Sequence, residues 1–183
     1  MATMNPKDFI NTVFVHETGD LANSHHYIAF MVMGMGIEFL GRCLDSAAEE
    51  WHEEMVSRKR FEEAVNKLKA LEKYRELIGK NTPFDLYGSL RCGLVHSGAP
   101  KYEITLSSKG EMGHMVKHTD GNRINLRCED FYVDFKQACE EVINHNFPDK
   151  DKMNKSFLSV PDYPMDASQQ QTAVTESSAR SKI

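Results

Sequence analysis

Apolar residues recur along most of this chain at helical intervals. Over Thr82–Gly98, Leu86, Leu90, Gly93 and Leu94 give one apolar or small face. Thr82 is a candidate cap, Pro83 suits a first helical position, and Asp85 favours the positive helix end. Gly98 and Pro100 stop the helix. Upstream, Pro6 opens a short helix over 6–17 with Phe9, Val13 and Phe14 facing inward, broken at Gly19-Asp20. The longest periodic stretch is 22–52, with Ile28, Val32, Met35, Phe39 and Cys43 as its inner stripe and Met31, Met33 and Met35 as core filling. Gly34, Gly36 and Gly41 inside it predict close approach of another backbone, within the bundle or across a subunit boundary. A helix over 58–79 places Phe61, Val65, Leu68, Leu71 and Ile78 inward. Its outer side is charged and includes a Glu63–Lys67 pair; the basic run 58–60 reads as a charged helix start.

After Gly98 the pattern changes. Tyr102–Ser107 alternates, and Asp120-Gly121 predicts a type I′ turn between short strands. A small antiparallel sheet of two or three strands is therefore expected at about 101–127. His114 and His118 would point to one face of it, without the further ligands a zinc site needs. A last helix over 129–146 carries Phe131, Phe135, Ala138, Cys139 and Val142 as its stripe, with Glu129 and Asp130 at its positive end. Beyond Phe147 no amphipathic period survives, and 148–183 reads as a disordered tail. The expected fold is mainly α: an antiparallel four-helix up-down bundle (22–52, 58–79, 83–97, 129–146) with a β-hairpin or three-strand insertion. It forms one domain over 1–147.

Composition narrows the functional classes. The 183 residues carry a net charge of −5, which argues against a general nucleic-acid binder and confines any RNA contact to a local patch. No run of eighteen apolar residues predicts a membrane span, and the N-terminus lacks a secretory pattern. The four cysteines, Cys43, Cys92, Cys128 and Cys139, lack metal spacing and read as reduced thiols of a cytoplasmic protein. No cofactor motif and no metal cluster is found, so neither is expected.

Arg91 and His96 stand out because a charge on an apolar helix needs a partner or water. Five positions apart, they are separated on a straight helix by about 7.5 Å of rise and about 140° of rotation, so they do not face each other there. Arg91 could pair with Glu38 or with a carbonyl at the helix end, and His96 could cap the helix.

The run Leu90–Gly98, LRCGLVHSG, resembles the signature of the HEPN superfamily, small helical-bundle proteins in which an arginine is followed four to six residues later by a histidine. The resemblance implies a symmetric homodimer whose two Arg/His pairs line one cleft, and metal-independent endoribonuclease activity. His96 would be the general acid or base and Arg91 the stabiliser of the phosphodiester transition state. Active members usually place a polar residue after the arginine, where this chain has Cys92. Glu38, Cys92, Ser97 and Tyr102 are candidate supporting residues. RNA is the implied substrate, and an antitoxin or other protein is a candidate partner, as in toxin and defence systems. The competing reading is a non-catalytic dimeric HEPN domain that binds RNA, a nucleotide or a protein.

Overall fold

The computed structural model describes residues 2–45, 56–79, 82–110, 112–144, 153 and 158–160. The chain is mainly helical, with a small three-stranded sheet. Strand β1 (Ala2–Met4) leads into α1 (Pro6–Phe9), a π-helical stretch Ile10–Glu17 and α2 (Thr18–Ser24). The break expected at Gly19 does not occur. Gly19 stays helical, and its lack of a side chain leaves room for the Tyr132 hydroxyl.

Helix α3 (His26–Leu44) is the centre of the core and packs against α2, α4 (Ser57–Lys67), α6 (Cys128–Asn144) and the π-helical segment Tyr87–Cys92. Its inward face is only partly the expected one: Cys43 and Met33 are buried as expected. Ala29, Phe30, Met33, Ile37 and Leu40 are buried, whereas Ile28 and Met35 are 45% and 41% exposed. The helix is apolar nearly all round, and its glycines decide which side faces in. A Cβ on Gly41 would lie 1.7 Å from the Arg60 carbonyl oxygen of α4, and one on Gly36 would lie 2.4 Å from the Phe135 ring. The expected close backbone approach at Gly41 is therefore one within the subunit. By length and composition α3 could cross a membrane, but 56% of its most apolar window is buried inside the protein. Helix α3 ends at Leu44; the remainder of the expected helix, 46–52, lies outside the described residues.

The helix expected over 58–79 is split. Leu68 is extended (φ −85°, ψ 126°), and the chain continues as a 3-10 helix over Lys69–Leu77. The cause is a period of three: Leu68, Leu71, Tyr74 and Leu77 are all buried, which suits three residues per turn. The donors exposed at the break are capped from α6, where the Glu141 carboxylate accepts from the Lys69 and Ala70 N–H groups at 2.9 and 2.8 Å.

The sheet is mixed, not antiparallel. Strand β4 (Ile124–Arg127) lies between β2 (Ile104–Ser107), to which it is parallel, and β3 (Val116–Lys117), to which it is antiparallel. Asn125, buried in β4, ties the returning loop by donating to Ser107 Oγ and to the Met112 and Gly113 carbonyls. The turn is wider than type I′: within Asp120-Gly121 only Gly121 has positive φ (+69°), and its N–H closes back on the His118 carbonyl. Helix α6 follows β4 directly and buries all five expected stripe residues. Leu158–Val160, expected as part of the tail, instead form β5, antiparallel to β1. Most of 148–183 lies outside the described residues.

His114 and His118 do not share a face, because Met115 between them takes a positive φ (+58°). His118 meets Thr105 Oγ1 at 2.8 Å. His114 turns into a buried polar cluster. The Arg127 N–H donates to its Nδ1 at 3.0 Å, so the neutral ring carries its proton on Nε2, 2.7 Å from the Tyr74 hydroxyl. Tyr74 in turn donates to Asp134 at 2.5 Å, and Lys73 reaches the same carboxylate at 2.9 Å. Burial pushes the Tyr74 hydroxyl well above its ordinary pKa. It also holds His114 below its ordinary value of 6.5, against the opposing pull of Asp134 and Asp130.

Two outcomes are expected. Gly41→Ala should lower the unfolding free energy by about 3 kcal/mol or more through backbone overlap. Gly34→Ala, whose Cβ would make an ordinary 3.5 Å contact, should change it by less than about 1 kcal/mol. Urea titration of both proteins checks this, and equal effects would contradict the packing. Second, His114 binds its proton less readily folded than unfolded. Its contribution is complete above pH 6.5 and is lost as pH falls below that value toward the lower folded pKa. Stability measured from pH 7.5 to 5 should fall more steeply in the natural protein than in His114→Gln; parallel curves would contradict it.

Candidate functional site

The helix that carries the Arg/His pair starts later than its sequence suggests. Thr82 does not cap the helix itself: its Oγ1 accepts from the Asp85 N–H, and Asp85 (φ +32°) turns the chain into the helix. The Asp85 carbonyl takes the Ser89 N–H. Its carboxylate is gripped by both ends of the Arg58 guanidinium, at 2.7 and 2.9 Å. Burial works against the charge on Asp85, but Arg58 and the Gly88 N–H hold the carboxyl below its usual range. Arg58 also lies 4.6 Å from the Tyr87 ring centroid. The basic run 58–60 is thus only in part a solvated helix start: Lys59 is exposed, but Arg60 is buried beside Asp45 at 3.8 Å.

From Tyr87 to Cys92 the helix is π-helical, then narrows into α5 (Gly93–Ser97). In a π turn the backbone bond runs from i to i+5 and less rotation separates residues five apart. The interval from Arg91 to His96, however, lies mostly in α5, so it is the length of the arginine side chain that brings together two groups a straight α-helix would separate. Arg91 Nη1 lies 3.2 Å from His96 Nε2. Arginine only donates, so His96 accepts at Nε2 and its neutral ring carries the proton on Nδ1. On its other edge, Arg91 Nε donates to Glu38 Oε2 at 2.7 Å. Their side chains are 16% and 19% exposed, so the pair is shielded on most sides. Gly34, one turn before Glu38 on α3, faces the Arg91 backbone, and a Cβ there would make an ordinary 3.5 Å contact with Arg91 Cα.

The end of α5 is fixed. Gly98 adopts the left-handed conformation (φ +67°) and its N–H bonds to Leu94, while Ala99 bonds to Gly93, closing the last turn. The Tyr27 hydroxyl of α3 donates to the Gly98 carbonyl. His96 is exposed on this turn, beside the exposed Ser97.

Of the supporting candidates, Glu38 is joined directly to Arg91 and Cys92 is its half-buried chain neighbour. Tyr102 turns instead to the β hairpin, 3.5 Å from Asp120 and 5.1 Å from the Arg123 guanidinium by its ring centroid. Three neighbours escaped the sequence. Tyr87 carries the Arg91 guanidinium 5.8 Å from its ring centroid. Burial, then the adjacent Cys92, raise its hydroxyl to about 12. Arg42 and Arg60 line a pocket with Glu38 and Arg91. The basic residues were visible as single letters, but nothing in their spacing ties α3 and α4 to the motif. Among the described residues, no three His, Cys, Asp or Glu side chains gather as a metal site would require. Compared with family models, curated proteins and solved structures, the chain finds no match.

A double-mutant cycle tests the Glu38–Arg91 pair. Glu38→Gln, Arg91→Gln and the double variant should give a stability coupling of about 1–3 kcal/mol, because one charge alone is left poorly solvated. Additive effects would contradict the shielded pair.

Proposed function

We propose that the chain is a HEPN-type domain that cleaves RNA without a metal. In this reading α3, α4 with its 3-10 continuation, the π segment with α5, and α6 are the four members of the up-down bundle. The observation that carries the reading is the Arg91–His96 contact at the exposed end of α5. When a ribose 2′-hydroxyl displaces Arg91 Nη1 from His96 Nε2, that nitrogen takes the hydroxyl proton as the oxygen attacks the adjacent phosphorus. The bond to the 5′-oxygen breaks, a 2′,3′-cyclic phosphate forms, and the leaving oxygen takes a proton from the matching histidine of a second copy. Arg91 supports the charge on the phosphoryl oxygens with the guanidinium edge that Glu38 does not hold.

The second copy would dock on the outer face of α3, where Ile28, Met31, Val32, Met35 and Phe39 are exposed or half-buried and apolar. The setting proposed is cytoplasmic, as a toxin or defence effector restrained by a protein partner. The Glu38–Arg91 ion pair and Cys92 beside it favour a second reading, a non-catalytic dimer that binds RNA, a nucleotide or a protein.

Incubation with single-stranded RNA in EDTA separates the two. Cleavage leaving 2′,3′-cyclic ends, lost at least a thousandfold in His96→Ala, is the expected result. Ile28→Lys should give a folded monomer with the same loss. Intact RNA that still binds selects the second reading; no cleavage and no binding ends both.

A further inference from the structure

Another pocket lies where the start of α3 meets the end of β2. His26, Tyr27 and Phe30 of the helix, Leu106 and Ser107 of the strand and Ser108 after it line a cavity of about 190 Å³. At roughly 30 Å³ per water it has room for about six waters, the bulk of one small ring system. It is smaller than the 300 Å³ or so at which sites for drug-sized ligands begin. The Tyr27 ring is 42% exposed, whereas Phe30 is buried against the Phe131 ring. The hydroxyls of Tyr27 and Ser107 are committed within the chain. Tyr27 donates to the Gly98 carbonyl, and Ser107 Oγ accepts from Asn125 at 2.7 Å and donates to the Met112 carbonyl at 3.4 Å. The His26 ring differs. Its Nε2 lies 3.6 Å from Glu129 Oε1, beyond a hydrogen bond, and that oxygen already accepts the Lys109 N–H at 2.8 Å. Glu129 Oε2 is buried behind it with no hydrogen-bond partner among the described residues.

We infer that this pocket takes the nucleobase of the nucleotide next to the scissile phosphate, against the Tyr27 ring and Leu106 and with His26 at its polar edge. The inference rests on the cleavage reading and adds to it a group that holds the substrate. Position supports it. The Tyr27 hydroxyl is bonded to the Gly98 carbonyl, two residues along from His96, so one wall of the pocket is joined to the turn that carries the imidazole. A nucleotide whose phosphate lies at His96 has only the length of one tyrosine side chain to span. Chemistry supports it as well. A base has a flat apolar face and a polar edge, and stacking on an aromatic side chain uses only the face. That suits a pocket whose hydroxyls are already bonded, where the His26 ring is left to meet the edge. Stacking also adds affinity without added positive charge, as a chain of net charge −5 requires.

The test uses the full chain and 2′-O-methyl RNA hexamers, which lack the attacking hydroxyl and stay intact. Binding is followed by fluorescence anisotropy at fixed salt, with the base removed from one position at a time. Loss of one particular base should weaken binding about fivefold or more, and loss of the others by less than about twofold. Tyr27→Ala should erase the sensitivity to that position. Tyr27→Phe, which keeps the ring and drops the bond to Gly98, should retain it. If Tyr27→Ala does not fold, Leu106→Trp, which fills the cavity, should give the same loss. The inference is overturned if the hexamer does not bind, if every position responds alike, or if the pocket variants keep the response to the missing base. Unmodified RNA is assayed for cleavage in parallel. Cleavage without a base-sensitive position removes the pocket alone; base-sensitive binding without cleavage removes the nuclease reading and leaves the pocket standing.

Discussion

The Arg91 guanidinium is held between two acceptors of different kinds. Glu38, on the central helix, takes its Nε proton at 2.7 Å and supplies the countercharge that a cation beside a core helix requires. His96, on the last turn, takes an Nη1 proton at 3.2 Å and supplies no charge. The first contact anchors the arginine and the second aims it. Both depend on local packing: α3 lies against the segment Tyr87–Cys92 and so sets Glu38 beside Arg91, and the long arginine side chain reaches forward to His96 in α5.

Anchoring has a chemical consequence. A guanidinium bound to a carboxylate is less available to a phosphate than a free one, yet its geometry is fixed before any ligand arrives. Its donors to Glu38 and to His96 leave the rest of the fork as the edge that can meet an anion. Arg42 of α3 and Arg60 of α4 line a pocket together with Glu38 and Arg91.

Parts of this arrangement were legible in the sequence. The α6 stripe is unambiguous because Phe131, Phe135, Ala138, Cys139 and Val142 alternate with charged residues. Leu86, Leu90 and Leu94 are buried, and Gly98 ends α5 as expected. The face of α3 was not legible, because a helix apolar all round offers no contrast; the small residues, not the large ones, mark its inner side. The 3-10 stretch was written in the three-residue step from Leu68 to Leu77, which an α-helical reading absorbs as scatter. The helix start at Asp85 and the cap from Glu141 come from long-range partners, Arg58 and α6, that no local window contains. Glu38 was one of two candidate partners for Arg91, the other being a carbonyl at the helix end, and the structure pairs them. Rotation on an ideal helix separates Arg91 from His96, and the contact rests on the reach of the arginine side chain toward the last turn.

The arginine's hold on the imidazole has a direct spectroscopic readout. In nitrogen-15 and carbon-13 NMR of the neutral protein, His96 should appear as the tautomer protonated on Nδ1. Arg91→Gln should move its population toward the Nε2-protonated form that free histidine prefers. A natural protein in which His96 already carries its proton on Nε2, unchanged by the substitution, would contradict the contact on which the site is built.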